Sequence, residues 1–175
     1  MFVCTGNICR SPMAEALFAH LVPEAEVASA GTMDWSGQLA HEHAVTAMAE
    51  RGLDLSAHRS RRLTGELVDG ADLIVAMTRN HGWAVAARSP AKEAVTFLPA
   101  ELSRLADQVG DRNGPDAAQW VSALADHRRA QSTTPFIGRP VDEIPDPIGE
   151  PLPYFRSIAT RLERDLTPAA ARLRG

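Results

Sequence analysis

Short apolar runs alternate along the chain with longer stretches in which apolar residues recur at spacings of three and four. The short runs are typical of buried strands, and they fall at 1–3, 26–30, 72–77 and 94–98. The longer stretches predict amphipathic helices at 12–21, 39–51, 64–69, 79–88 and around 155–166. Because strands that alternate with helices pair through crossover connections, the pattern predicts an α/β fold with a four-stranded parallel sheet.

Capping and helix-breaking residues predict where some of these helices begin and end. Ser11 is expected to cap the first helix, with Pro12 at its first position, where a missing N–H costs nothing. Pro168 is expected to disturb or end the last helix. Between these ends, the stretch 101–140 is polar and irregular, and a helix is expected there only over 116–129.

Composition and charge narrow the classes of protein. The chain has 175 residues, 45% of them hydrophobic and 23% charged, which is enough for one compact domain over 1–175. A net charge of −4 argues against broad binding to nucleic acids or membrane surfaces. The sequence shows no charged-then-apolar leader, and no apolar run approaches the roughly 18 residues that a membrane span needs. We therefore expect a cytoplasmic protein with no nucleic-acid and no membrane partner.

The chain has two cysteines, Cys4 and Cys9, and both lie in its opening segment. Two thiols this close together cannot build a disulfide framework for a domain of this size. No further cysteine pair is present to complete a zinc site, so no metal is expected. The thiols therefore serve chemistry or are incidental.

The loop between Cys4 and Arg10 joins the first predicted strand directly to the first helix. A strand, loop and helix in this order bring backbone N–H groups and the helix dipole to bear on an anion. Gly6 permits a close approach that a side chain would block, and Arg10 can grip two oxygens of a bound oxyanion. The plain alternative makes Cys4 a small buried hydrophobe and Arg10 a surface charge. The preceding strand, the glycine and the Ser-Pro helix start favour the anion site.

Residues 3–15, Val-Cys-Thr-Gly-Asn-Ile-Cys-Arg-Ser-Pro-Met-Ala-Glu, closely resemble the signature of the low-molecular-weight protein tyrosine phosphatases. The resemblance extends to 29–32 with Trp35, to His58, to the strand at 74–77 and to Asp146-Pro147. It implies a single phosphatase-like domain with an insertion at about 107–140. The implied fold is a three-layer, doubly wound four-stranded parallel sheet in the order 2-1-3-4, with a phosphate-binding loop after strand 1.

The resemblance also implies a two-step hydrolysis of phosphate monoesters that needs no cofactor. Cys4 would attack phosphorus and form a cysteinyl-phosphate, and Asp146 would act first as general acid and then as general base. Arg10 and the loop amides would hold the phosphate oxygens. The members of the implied phosphate-binding loop, besides Cys4 and Arg10, are Thr5, Gly6, Asn7, Ile8, Cys9 and Ser11.

Further residues are expected to support this site. Ser29 and His58 match positions that, with Asn7 and Ser11, form a hydrogen-bond network in the family. Trp35 and Ile148 would form the walls of the substrate pocket. From its local sequence alone, His58 could equally be a solvated loop residue. Cys9 is either a redox partner that traps Cys4 in a reversible disulfide or a structural thiol.

The residues after Asp146-Pro147 give a hint of which phosphorylated group the enzyme would accept. Tyrosine phosphatases of this family usually carry aromatic residues there, whereas this chain has Ile148-Gly149. That form resembles bacterial relatives that include protein arginine phosphatases, although those enzymes have a threonine at the position of Ile8. A phosphotyrosine protein substrate is therefore the first expectation, and an arginine phosphatase is the alternative. A non-catalytic phosphate-binding regulatory protein is the second alternative, and a monomer is expected.

Overall fold

The computed structural model describes residues 1–114, 116–131 and 138–175. Within these ranges one parallel sheet is present, formed by β1 (Phe2–Cys4), β2 (Ser29–Gly31), β3 (Ile74–Ala76) and β4 (Thr96–Phe97). The strands lie in the order β2-β1-β3-β4, which confirms the predicted topology. Strand order reverses at β1, which pairs with β2 on one side and with β3 on the other. Cys4 lies at the carboxyl end of β1, where ligands of doubly wound sheets bind.

Seven α-helices fall within the described ranges. They are α1 (Arg10–Leu21), α2 (Glu42–Ala49), α3 (Gly65–Asp69), α4 (Arg79–Ala86), α5 (Pro99–Val109), α6 (Ala117–Gln131) and α7 (Leu152–Arg174). Short 3₁₀ turns occur at Pro90–Glu93 and Pro140–Asp142. Across the part of the chain that the structure describes, no helix combines the length and the apolar character needed to cross a membrane.

The sheet is packed on both faces, which explains why its strands are continuous apolar runs. Successive strand residues point to opposite faces. One face contributes to the larger core, with side chains from α1, α2, α5, α6 and α7, through Phe2, Cys4, Val75, Met77 and Phe97. The other face packs against Val68 of α3 and Val85 of α4, through Val3, Ala30 and Ile74. The fold is therefore the predicted three-layer α/β sandwich.

Helix α5 shows that the prediction of an irregular stretch from 101 onward was wrong. Leu102, Leu105 and Ala106 lie at helical spacing and are buried in the larger core. Two of the polar residues that obscured this pattern, Glu101 and Ser103, are themselves buried with partners. Glu101, for example, is 3% exposed and accepts the N–H at the start of the helix at 3.0 Å.

Helix α6 confirms the helix expected at 116–129, with slightly different bounds. Arg128 anchors it to the edge strand β4 by donating to the carbonyl of Thr96 at 2.6 Å, and its guanidinium lies 4.5 Å from the ring centre of Phe97. Pro115 and residues 132–137, which belong to the expected insertion, lie outside the described residues.

Helix α7 continues through Pro168 to Arg174, so the expectation that the proline would end the last helix is wrong. A residue of α5 satisfies the backbone groups near the proline. Ser103 Oγ donates to the carbonyl of Asp165 at 2.6 Å and accepts from the N–H of Ala169 at 3.3 Å. The hydroxyl thus bonds both a carbonyl and an N–H of the turn that contains Pro168, which ties this turn of α7 to α5.

Helix α1 begins at Arg10, earlier than predicted, and Ser11 is not its cap. Cys9 occupies the N-cap position and makes no side-chain capping bond. The hydroxyl of Ser11 is instead engaged by Cys4 and Asn7, on the side of the helix that faces the loop. Local capping preference was therefore overridden by the contacts of the loop.

Candidate active site

The sulfur of Cys4 lies at the base of the loop and receives two hydrogen bonds. The backbone N–H of Asn7 donates to Sγ at 3.3 Å, and Ser11 Oγ lies 3.0 Å from the same atom. Because Ser11 Oγ already accepts from Asn7 Nδ2 at 2.9 Å, its own proton is free to point at the sulfur. Donors directed at a sulfur are what a thiolate nucleophile requires.

Asn7 holds the loop in shape. Its φ of 55° lies in the left-handed region, which asparagine adopts more readily than most residues. The side-chain amide donates to Ser29 Oγ at 2.7 Å as well as to Ser11, and its oxygen accepts the N–H of Arg61 at 2.9 Å. The backbone carbonyl of Asn7 accepts from His58 Nε2 at 2.7 Å, which fixes the proton of that ring on Nε2. The four predicted network residues, Asn7, Ser11, Ser29 and His58, are therefore in one hydrogen-bonded group.

Arg10 is buried, with 4% of its side chain exposed, in the first turn of α1. Nη1 donates to the carbonyl of Ile144 at 3.2 Å. Nη2 donates to Thr5 Oγ1 at 3.3 Å and to Asp146 Oδ2 at 2.5 Å. Nε is buried and has no hydrogen-bond partner among the described residues. A buried guanidinium with a free donor fits a site that takes an anion from outside the chain.

Asp146 reaches Arg10 from the loop before α7, across 136 positions of sequence. Its side chain is 47% exposed, and its Oδ1 accepts the N–H of Ile148 at 3.2 Å. Two contacts fasten this loop to the end of β3. The N–H of Ile144 donates to the carbonyl of Met77 at 2.8 Å, and Glu143 pairs with Arg79 of α4 at 3.0 Å. Asp146 is therefore placed by the sheet and by α4 as well as by Arg10.

Two glycines allow the loop to be covered closely. A Cβ at Gly6 would lie 2.4 Å from Cε3 of Trp35, so the predicted wall residue packs its ring directly on the loop. A Cβ at Gly31 would lie 2.8 Å from the carbonyl oxygen of Thr5. Either substitution would force backbone or a large ring to move.

Two further predicted residues, the wall residue Ile148 and the loop residue Ile8, are partly exposed. Ile148, the second predicted wall, is 47% exposed beside Asp146. Ile8 is half-buried, and its carbonyl accepts the N–H of His41 at 2.8 Å. The rim next to Asp146 is thus aliphatic.

Cys9 is buried at the start of α1, and its sulfur is a free thiol, as is that of Cys4. Burial raises the pKa of the Cys9 thiol to about 12, and the nearby Cys4 and Asp146 act in the same direction. The thiol is therefore protonated at neutral pH.

Sequence reasoning missed His81, which is buried in the first turn of α4. Its Nε2 lies 3.0 Å from Thr5 Oγ1, and its Nδ1 lies 2.9 Å from Thr78 Oγ1. Burial, followed by the charge of Arg10, lowers the pKa of His81 to about 4. The sequence signal that could have indicated His81 was its position. It lies three residues after Thr78, which caps α4 just beyond the carboxyl end of β3.

The fold and the site together define a phosphatase that depends on a cysteine. A family model described as low molecular weight phosphotyrosine protein phosphatase matches residues 1–105. This chain therefore belongs to the low molecular weight phosphotyrosine protein phosphatase family, whose members are cysteine-dependent protein phosphatases.

Individual relatives include proteins with two kinds of name. The probable low molecular weight protein-tyrosine-phosphatase EpsP of Ralstonia solanacearum is 44% identical over 104 residues, which cover 59% of this chain and 72% of that protein. A protein-arginine-phosphatase of Geobacillus stearothermophilus is 43% identical over 98 residues, covering 55% and 66% of the two chains. Among solved structures, Vibrio vulnificus Wzb in complex with benzylphosphonate superimposes with a TM-score of 0.72 at 26% identity, covering 98% of this chain and 96% of that one.

Proposed function

We propose that this chain is a protein tyrosine phosphatase that hydrolyses phosphate monoesters through a cysteinyl-phosphate at Cys4. The observation that carries the proposal is the buried guanidinium of Arg10. One of its donors has no partner among the described residues, and another is paired with Asp146. A phosphate held by Arg10 would have a carboxyl group beside it, and the loop that Arg10 closes has the sulfur of Cys4 at its base.

In the first step the Cys4 thiolate attacks phosphorus, and the bond from phosphorus to the leaving oxygen breaks. Asp146 gives its proton to that oxygen, and the phosphoryl group is left on sulfur. In the second step Asp146 takes a proton from water, the water oxygen bonds to phosphorus, and the thiolate leaves with the sulfur–phosphorus electrons. Arg10 stabilises the charge on the equatorial oxygens in both steps.

The substrate we propose is a phosphorylated protein, and phosphotyrosine is the first choice. The ring of Trp35, packed on Gly6 at the loop, supports it because an aromatic wall suits an aromatic ring. A specific observation favours phosphoarginine as the second candidate. The rim beside Asp146 is formed by aliphatic Ile148 instead of a second aromatic wall, and a named arginine phosphatase is among the relatives.

Hydrolysis of a generic aryl phosphate tests the reaction, with Cys4→Ser and Arg10→Lys as variants. We expect no turnover in Cys4→Ser and a large loss in Arg10→Lys, because lysine cannot make a bidentate contact. Arg129→Lys, an exposed site in α6, is the matched control and should keep full activity. Activity that survives Cys4→Ser would overturn the nucleophile. A wild type that binds phosphate without turnover would favour the regulatory binding protein.

A comparison of peptides tests the substrate. Phosphotyrosine and phosphoarginine peptides of otherwise identical sequence should be hydrolysed with a higher kcat/KM for phosphotyrosine. The opposite preference would replace the first candidate with the second.

We also propose that the chain acts as a cytoplasmic monomer built as one domain with an insertion at about 107–140. The docking of α6 on β4 through Arg128 supports the single domain, because it ties the expected insertion to the sheet. Sedimentation at several protein concentrations tests the monomer, and a concentration-dependent mass would contradict it.

A further inference from the structure

A chain of hydrogen bonds runs from the first turn of α4 to the guanidinium of Arg10. Thr78 Oγ1 contacts His81 Nδ1 at 2.9 Å, His81 Nε2 contacts Thr5 Oγ1 at 3.0 Å, and Thr5 Oγ1 accepts from Arg10 Nη2 at 3.3 Å. His81 is 5% exposed, and its two threonine partners, Thr5 and Thr78, are partly buried. Nothing in the proposed reaction uses His81 directly.

Two arrangements of protons satisfy these bonds. The hydroxyl of Thr78 accepts the backbone N–H of His81, and a hydroxyl oxygen can accept a second proton as well as donate its own. A neutral ring therefore either accepts at Nδ1 and donates from Nε2 to Thr5 Oγ1, or donates from Nδ1 and accepts the Thr5 proton at Nε2. In both arrangements Thr5 Oγ1 is bonded to His81 and accepts from Arg10, so its position is fixed from two sides.

We propose that His81 is a positioning residue that, through Thr5, keeps the guanidinium of Arg10 in the orientation that holds the phosphate. This inference rests on the proposed function and adds a residue to its site. When Asp146 leaves Arg10 to protonate the leaving group, two of the described partners of the guanidinium stay in place. They are the carbonyl of Ile144 on Nη1 and Thr5 on Nη2. Of these, the Thr5 contact depends on His81.

The neutral ring is essential to this role. A protonated His81 would place a second cation close to Arg10, and burial and Arg10 both lower the pKa of His81 to about 4. The ring therefore remains neutral throughout the pH range in which a phosphate dianion is bound.

The test compares Thr5→Val, His81→Leu and the double variant by kcat/KM for an aryl phosphate and by the inhibition constant of inorganic phosphate. Each single variant should lower kcat/KM and weaken phosphate binding by about 3- to 10-fold, the effect of one hydrogen bond. The double variant should lose no more than the larger single effect, because both substitutions break the same chain. His81→Gln, which keeps an amide group at the reach of Nε2 that can donate or accept, should recover most of the loss.

Two substitutions away from the site serve as controls. Thr96→Val removes a fully buried hydroxyl in β4, and His127→Gln removes a histidine on α6. Neither should change the phosphate inhibition constant, whatever its effect on melting temperature. Thr5→Val keeps the test valid if His81→Leu folds poorly.

The outcomes separate this inference from the proposed function. Suppose that the wild type is active. Either an unchanged phosphate inhibition constant in Thr5→Val and His81→Leu, or strictly additive losses in the double variant, would then overturn the role of His81 alone. If the wild type lacks turnover, calorimetric binding of inorganic phosphate to Cys4→Ser, with and without His81→Leu, still decides whether His81 positions Arg10. Absence of phosphate binding in that background would overturn both.

Discussion

Arg10 Nη2 and Asp146 Oδ2 lie 2.5 Å apart, in an ion pair between a buried guanidinium and a half-exposed carboxylate. The two residues are proposed to do different work on the same phosphate, one on the equatorial oxygens and one on the leaving oxygen. In the structure these two atoms pair with each other. In the proposed mechanism an incoming phosphate would compete with Asp146 for Arg10, and the displaced carboxyl group would be left beside the leaving group.

Asp146→Asn should separate these two roles. The rate for an ester with a poor leaving group should fall by about 10²- to 10⁴-fold, the usual contribution of general acid catalysis. The rate for an activated aryl ester should fall much less. Inorganic phosphate should bind several-fold more tightly, because a neutral amide competes poorly for the guanidinium. Steady-state kinetics with two esters and phosphate as inhibitor measure both effects.

The control for this variant is Glu150→Gln, which removes an exposed carboxylate from the same loop. It should leave both the leaving-group dependence and the phosphate inhibition constant unchanged. Equal slowing of both esters by Asp146→Asn would argue against a general acid. Unchanged phosphate inhibition would show that the ion pair does not compete with the anion.

Cys9 is predicted to protect Cys4 after oxidation by peroxide. A sulfenic acid on Cys4 would condense with the Cys9 thiol to a disulfide and release water. Because the pKa of Cys9 is raised to about 12, its thiolate fraction, and with it the trapping rate, should rise about tenfold for each unit of pH near neutrality. Activity recovered by a dithiol after peroxide treatment measures the protected fraction. Cys9→Ser should recover less than the wild type, and equal recovery would leave Cys9 with a structural role.

The loop and the strands could be predicted from the sequence because their signals are local. The apolar run Met1-Phe2-Val3 predicts a strand. Cys4 and Arg10 lie at the two ends of one seven-residue loop, so their proximity follows from the local sequence. The position of Asp146 came only from the family resemblance, since nothing in its own neighbourhood shows that it will meet Arg10. The structure shows that contact directly.

The missed features have a common physical cause, which is that long-range partners satisfy polar residues that look like loop residues. Ser103 and Glu101 made α5 look irregular, yet one bonds the backbone of α7 and the other the start of its own helix. His81 carried no motif, and its importance depends on Thr5, 76 positions away. Propensity and periodicity contain no information on such pairs.

The burial of His81 predicts how stability changes with pH. Its pKa is about 4 in the folded protein against an ordinary 6.5, so between these values the unfolded chain binds more protons. The contribution of His81 to stability is therefore constant above pH 6.5 and falls as the pH drops towards 4. Comparison of urea unfolding at pH 7 and about pH 4.5 should show that the wild type loses about 2 kcal/mol more than His81→Gln. His127→Gln is the control and should lose as much stability as the wild type. An equal loss of unfolding free energy in the wild type and in His81→Gln would contradict the low pKa of His81.

The contact of Ser103 with the turn around Pro168 predicts a coupling between α5 and α7. Ser103→Ala should lower the free energy of unfolding by about 1 to 3 kcal/mol, because it leaves the carbonyl of Asp165 and the N–H of Ala169 without their partner. In a Pro168→Ala background the same substitution should cost about 1 kcal/mol less, since a helix without the proline ring can close that bond itself. Urea unfolding of the four proteins measures the coupling, and Ser157→Ala, an exposed serine of α7, is the control with little expected effect. An identical cost of Ser103→Ala in both backgrounds would mean that the hydroxyl does not compensate for the proline.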